Sequence, residues 1–166
     1  MPMLRLSKIA LLAAIALFAS LVAFDNVTDY GTNLAFVRHV LTMDTVFPDS
    51  TIKYRAIETP LLHHVGYVGI ILAEAATGLL CSWGAARLWR RRHAPARDFN
   101  RGKAVAVAGL TLGFLLWQAG FMTIGGEWFG MWMSAQWNGT ESAFRFFITI
   151  LAVLIYLALP DGEIEG

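Results

Sequence analysis

Residues 61–86, LLHHVGYVGIILAEAATGLLCSWGAA, form a long apolar stretch in which Glu74 is the only residue of the Asp, Glu, Lys and Arg types. About 20 consecutive apolar residues suffice for a helix to cross a bilayer, so this stretch predicts a membrane span. A carboxylate near the bilayer centre costs at least about 2.5 kcal/mol. We therefore expect Glu74 to be protonated, paired or facing a cavity.

Three further apolar segments lie outside this stretch, at residues 6–24, 104–124 and 143–159. Together the four segments predict an all-α fold, a four-helix transmembrane bundle in a single membrane domain over residues 1–166. The composition agrees, because 57% of the 166 residues are hydrophobic and only 15% are charged. A net charge of +1 also argues against nucleic-acid binding.

The first segment admits a second interpretation. Arg5 and Lys8 precede an uncharged stretch that ends near Phe24, as in a signal peptide. No Ala-x-Ala cleavage site follows it cleanly. We favour a retained helix, because three further spans need a fourth partner to close a bundle.

The basic residues predict the orientation of the bundle, since Lys and Arg accumulate on the cytoplasmic side. Nine of the 13 lie near the N-terminus or in the loop 87–103, and four lie in the loops 25–60 and 125–142 or beside them. We therefore expect both termini and the loop 87–103 in the cytoplasm. The two external loops, 25–60 and 125–142, are called the cap below.

The cap has two recognisable parts. Residues 33–43 alternate like a short amphipathic helix, which favours a position on the membrane surface or over the bundle. Trp128, Trp132 and Trp137 lie within ten residues of one another. Tryptophan side chains favour the membrane interface, so these three predict an aromatic belt, with a ligand-stacking site as the alternative.

Two sets of glycines predict close helix packing. Gly109 and Gly113 form a G-x-x-x-G step on the third span, and Gly66 and Gly69 begin a similar stripe of small residues on the second. In lipid, helices associate through close backbone approach. The stripes therefore favour packing within the bundle, with a homo-oligomer or partner contact as the alternative.

Polar side chains on the second span suggest an intramembrane site. His63, Tyr67 and Glu74 lie on one helical face, away from the glycine stripe, and Gln118 lies on the third span at a similar depth. One interpretation is a structural clamp, in which Glu74 hydrogen-bonds Gln118 or Tyr67. The other is a polar half-channel from His63 to Glu74 that carries a proton or a small solute.

The histidines of the cap raise the question of a metal. Imidazole and carboxylate groups suit zinc or copper, although no recognised ligand spacing is present. The candidates for an external metal or partner site are His39, His63, His64, Asp44 and Glu127. The spans carry no histidine pair suited to haem, and we predict no cofactor.

No catalytic motif is apparent in the chain. Cys81 is the only cysteine, which excludes a disulfide within the chain and a Cys-x-x-Cys relay, and it is expected to be a packing residue. No nucleophile motif, phosphate loop or catalytic carboxylate pair is present. We therefore favour a non-enzymatic protein.

The first external loop carries a long motif, and shorter distinctive pieces follow it. The motif covers TDYGTN at 28–33, FVRHVLTMDT at 36–45 and FP at 47–48; the other pieces are YRAI at 54–57, HH at 63–64, Glu74, WF at 128–129, WNG at 137–139 and LPDG at 159–162. Over nearly the whole chain these residues resemble a bacterial family of predicted small integral membrane proteins, a domain of unknown function. The resemblance implies a four-helix inner-membrane protein and no particular activity.

The function that we favour from the sequence is that of an accessory subunit or scaffold, whose cap docks a partner or stabilises a membrane complex. A small proton-linked transporter or ligand-binding protein that uses Glu74 is the first alternative. An outer-face metal-binding protein is the second.

Overall fold

The computed structural model describes residues 2–163. Within this range the secondary structure is entirely helical, which confirms the all-α prediction. The α-helices are α1 (Pro2–Thr28), α2 (Tyr30–Thr42), α3 (Pro60–Arg90), α4 (Ala96–Gly102), α5 (Ala104–Leu115) and α6 (Thr140–Ala158). A π-helical segment, Leu116–Trp128, continues α5, and short 3-10 turns occur at Lys53–Arg55 and Met131–Met133.

Four helices in the described range are long and apolar enough to cross a membrane, as the sequence predicts. They are α1, α3, α6 and the rod that runs from α4 through α5 to the end of the π-helical segment. α1, α3 and the rod extend beyond the predicted segments at both ends, whereas α6 begins three residues before its predicted segment and ends one residue before that segment does. The short helix expected at residues 33–43 is α2, which begins three residues earlier.

The four membrane helices pack in a ring. α1 contacts α3, α3 contacts α5, and α6 packs against α5, the π-helical segment and α1. Leu12, Leu110 and Ile150 are among the fully buried residues of the shared core. Arg5, the loop after α3 and the residues after α6 meet at one end of this ring, which we call the basic end.

Close approach between α3 and α5 depends on glycines of the third span. A Cβ atom on Gly109 would lie 2.9 Å from the Sγ atom of Cys81, and one on Gly113 would lie 2.9 Å from the Cγ2 atom of Thr77. Gly109 and Gly113 thus lie where α5 packs against α3 within the bundle. Cys81 is buried at this contact, in the packing role expected of it.

The second glycine stripe does not behave as predicted. Gly66 and Gly69 are exposed, and a Cβ atom on Gly69 would meet no other atom within 4 Å. The close contacts of α3 are made instead at Gly78, against Ser20 of α1, and at Gly84, against Ala106 of α5. The expectation failed because the polar face of α3, rather than its Gly66–Gly69 face, turns toward the bundle.

We expect Gly109→Ala to lower the stability of the protein by about 1–3 kcal/mol, because the added methyl group overpacks the α3–α5 contact. Thermal unfolding in a mild detergent measures the change. Gly69→Ala is the matched control, since the same substitution there meets open space and should be neutral or slightly stabilising. Equal melting temperatures for the two variants would contradict the assigned packing.

At the basic end, buried charges join three of the membrane helices. The Asp161 carboxylate, just after α6, accepts hydrogen bonds from Lys8 of α1, at 2.8 Å, and from Lys103 at the start of α5. Arg5 is 1% exposed and donates to the carbonyl groups of Arg92, Ala94 and Gly162. Cations are favoured at such helix C-termini, where main-chain carbonyls lack intrahelical partners.

We expect Asp161→Asn to destabilise the protein by about 3–5 kcal/mol at pH 7, because Lys8 and Lys103 would remain buried without a counter-ion. Burial opposes the ionisation of Asp161, but the ammonium groups of Lys103 and Lys8 outweigh it and hold the pKa of its carboxyl below the usual range. The stabilisation is therefore complete above the usual pKa and is lost as the pH falls through the lowered value.

Thermal melts of both proteins from pH 7 downward check this expectation, and the difference between them should shrink only below about pH 4. Glu141→Gln is the control, because the Glu141–Arg145 pair lies exposed on α6 and contributes little. If Asp161→Asn and the wild type had the same melting temperature at pH 7, the assigned role of the buried ion cluster would be contradicted.

Candidate functional site

Glu74, next to the midpoint of α3, pairs with Asn26 near the end of α1. The Nδ2 atom of Asn26 donates to the Oε2 atom of Glu74 at 2.7 Å. The hydroxyl group of Tyr67 donates to the main-chain oxygen and to Oδ1 of Asn26, at 2.9 and 3.0 Å. Asn26 therefore connects the two polar groups of α3 to α1 and satisfies one oxygen of the carboxylate.

The predicted pairing of Glu74 is corrected by this arrangement. Within residues 2–163 the hydrogen-bond partner of its carboxylate is Asn26 rather than Gln118, and Tyr67 reaches the carboxylate only through Asn26. Gln118 lies half-buried in the π-helical segment, where its neighbours Trp117 and Phe121, rather than Gln118 itself, line the space beside Glu74.

The polar face of α3 is also its packed face. His63, Tyr67, Glu74 and Cys81 are all at most 4% exposed. Buried polar groups in a membrane helix must be satisfied by neighbouring protein groups, since lipid offers no hydrogen bonds. The structure meets this requirement by turning the polar face of α3 toward α1 and α5.

A cavity of about 300 Å³ lies beside Glu74. Glu74 lines this cavity although it is only 2% exposed, and its Oε1 atom has no hydrogen-bond partner in the described part of the chain. Toward the cap, Asn33, Asn138 and Ser142 line the same space. The cavity therefore connects the cap with a carboxylate at membrane depth.

The predicted route to Glu74 through His63 is wrong. The Nε2 atom of His63 lies 2.6 Å from the main-chain oxygen of Ile57, and His63 and His64 line a separate surface groove. The cavity beside Glu74 is lined instead by Asn33 of α2 and by Asn138, which lies just before α6. Sequence periodicity placed His63 correctly on the face of Glu74 but could not show which helix covers the space between them.

Aromatic rings form much of the cavity wall. Trp117 and Phe121 come from the π-helical segment, Phe146 from α6 and Phe36 from α2. Trp117 is 2% exposed and packs edge-on against Phe146, with ring centroids 5.7 Å apart. π-Helical turns often occur at functional sites, and here the segment presents its side chains to the cavity.

A second cavity, of about 290 Å³, adjoins the first. The two share Phe36, Val37, Ile70 and Phe121 as lining residues. The other residues that line the second cavity are all apolar or glycine: Val40, Leu41, Gly66, Leu116, Gly120, Ile124, Gly125, Phe129 and Met131. The site is thus a pair of adjoining spaces, one with polar groups and one without.

The candidate external metal site is not assembled. Within residues 2–163 no group of three His, Cys, Asp or Glu side chains is placed to hold a metal ion. His39 pairs with Asp44 at 2.7 Å, whereas His64 pairs with the hydroxyl group of Tyr30. Glu127 is exposed on the π-helical segment and does not join the two histidines.

The three tryptophans of the cap have different surroundings. Trp128 and Trp132 are about half exposed, and the guanidinium group of Arg55 lies 4.5 Å from the ring centroid of Trp128. Trp137 stacks on His39 with ring centroids 4.4 Å apart. Trp137 therefore joins the second cap loop to α2, beside the mouth of the first cavity, while the other two remain at the surface.

Asn26, Asn138 and Trp117 were missed as site residues in the sequence. Asn26 lies two residues beyond the predicted first segment, and only a prediction that extended this helix to Thr28 could have placed Asn26 on it. Asn26 and Asn138 both begin a glycosylation sequon, which is too common by chance to indicate a buried site. Trp117 carried no signal, because one aromatic residue in an apolar span is ordinary.

Comparison with known proteins agrees with the architecture. Residues 4–160 match a family model described as "Predicted small integral membrane protein (DUF2165)". No curated protein and no solved structure matches the chain. The match covers nearly the whole chain and confirms the resemblance seen in the sequence motifs. The chain therefore belongs to this family of predicted small integral membrane proteins.

Proposed function

We propose that this protein binds a small ligand within the bundle, with Glu74 as the principal binding group. The observation that carries the proposal is the cavity from the cap to Glu74, whose Oε1 atom has no hydrogen-bond partner in the described part of the chain. Of the functions considered from the sequence, this is the ligand-binding alternative. A structural clamp alone does not account for a cavity beside a carboxylate oxygen that has no hydrogen-bond partner in the described part of the chain.

The cost of burying Glu74 supports the same conclusion. An intramembrane carboxylate is expensive and commonly marks a substrate pathway or a proton relay. The hydrogen bond from Asn26 satisfies Oε2 and orients the group, which leaves Oε1 for the ligand. Cavities of about this size, largely apolar with a few well-placed polar groups, are typical of small-molecule sites.

We expect Glu74→Gln to abolish ligand binding while the bundle stays folded. The amide oxygen of glutamine can still accept the hydrogen bond from Asn26, but it carries no charge. The test is a thermal-shift screen of the protein in lipid nanodiscs with organic ammonium compounds, neutral alcohols and amides, and carboxylates. A compound present at 100 times its Kd stabilises the folded state by about 2.7 kcal/mol.

Glu127→Gln provides the matched control, because it removes a carboxylate from an exposed position on the π-helical segment. At least one class of compound should raise the melting temperature of the wild type and of this control, but not that of the Glu74 variant. If no class stabilises the wild type, or if the Glu74 variant responds equally, the proposal fails.

We further infer that the protein lies in a bacterial inner membrane with both termini in the cytoplasm. The concentration of basic residues at one end of the bundle supports this orientation. Green fluorescent protein fused to the C-terminus should be fluorescent, and alkaline phosphatase inserted after Asp49 should be active. Active phosphatase at the C-terminus and inactive phosphatase at Asp49 would reverse the orientation.

A role as an accessory subunit remains the second candidate function. The exposed aromatic residues of the cap favour it, because Trp128, Trp132 and Tyr54 leave a large apolar surface outside the core. Affinity purification in mild detergent should then recover one membrane-protein partner in stoichiometric amount, and Trp128→Ala with Trp132→Ala should release it. Recovery of a lone monomer or homodimer would count against this role.

A further inference from the structure

We propose that the ligand is an organic ammonium compound with an apolar tail, its cationic head beside Glu74 and its tail in the adjoining apolar cavity. This inference rests on the proposed function and names the chemical class of the ligand. The evidence for it is the lining of the two adjoining cavities. The cavity lined by Glu74 favours a cationic head, and the apolar cavity favours a hydrocarbon tail.

The charge of the polar cavity selects the head. Its lining residues include Glu74 and no Lys, Arg or His. A ligand carboxylate or phosphate would therefore meet the carboxylate of Glu74 with no cation to offset the repulsion. An ammonium group instead gains an ion pair in surroundings where lipid and protein screen charge weakly.

The aromatic wall favours the same kind of head. Trp117, Phe121 and Phe146 line the space that Glu74 reaches. Aromatic faces attract cations, and tryptophan does so most strongly; groups of such rings recognise quaternary ammonium compounds in other proteins. A carboxylate together with aromatic rings thus favours an organic cation over a neutral hydrogen-bond donor.

The second cavity accounts for the tail. Phe36, Val37, Ile70 and Phe121 line both spaces, so the two lie side by side, and the proposed tail would occupy the second. The volumes of the apolar and polar cavities are similar, about 290 and 300 Å³. In the described range the apolar cavity is lined by hydrocarbon side chains, glycines and the thioether side chain of Met131. Burial of methylene groups there adds affinity in proportion to the area removed from water.

We therefore expect tight binding to require both the cationic head and the apolar tail of the ligand. Dodecyltrimethylammonium is the probe, and it is titrated calorimetrically into the protein in nanodiscs, with empty nanodiscs subtracted. Tetramethylammonium supplies the head alone, and dodecanol supplies the tail with a neutral head. We expect dodecyltrimethylammonium to bind at least tenfold more tightly than either of the other two.

Two variants assign the parts of the probe to the two cavities. Glu74→Gln should weaken dodecyltrimethylammonium at least tenfold and leave dodecanol unchanged. Gly120→Leu adds a side chain where the backbone lines the apolar cavity, and it should bring dodecyltrimethylammonium close to the affinity of tetramethylammonium. Melting temperatures confirm that each variant is folded, and Glu127→Gln should bind like the wild type.

The outcomes separate this inference from the proposed function. Equal binding of dodecanol and dodecyltrimethylammonium, both sensitive to Glu74→Gln, would overturn the cationic head and leave the proposed function intact. Equal binding of tetramethylammonium and dodecyltrimethylammonium would overturn the tail. If none of the three probes binds but another class in the thermal-shift screen does so through Glu74, the inference fails alone; if no compound binds at all, both fail.

Discussion

The hydrogen bond between Asn26 and Glu74 meets the main physical constraint on this bundle. A membrane offers no water to a carboxylate at the middle of a helix, so the protein itself must satisfy that group. The requirement turns the polar face of α3 toward α1 and α5, and Gly109 and Gly113 allow α5 to approach α3 closely. Because Asn26 satisfies only one carboxylate oxygen, the same interaction leaves the other facing a cavity.

The two ends of the bundle solve the problem of polar groups in different ways. At the basic end Lys8, Lys103 and Asp161 neutralise one another in part, and main-chain carbonyls accept the remaining donors. Toward the cap, the polar side chains of Asn33, Asn138 and Ser142 instead line the cavity beside Glu74. The basic end is therefore held by buried ion pairs, whereas the part of the bundle toward the cap contains a cavity that Glu74 lines.

Much of the fold could be predicted because lipid imposes simple rules on sequence. Apolar segments of sufficient length, basic residues beside them and the G-x-x-x-G step of Gly109 and Gly113 all reflect local requirements. The π-helical segment and the role of Asn26 could not be predicted in this way. Both depend on which neighbour covers a given helical face, and a single span does not contain that information.

The sequence alone determines that the protein is a membrane bundle and that Glu74 is the residue whose burial costs the most free energy. Both conclusions rest on the unfavourable transfer of polar groups from water into hydrocarbon. Tertiary structure decided the partner of Glu74, the direction of the cavity and the exposure of Gly66 and Gly69. It also separated the histidines that could have formed a metal site. These outcomes depend on the rotation of each helix about its axis, which is set by contacts among several helices at once.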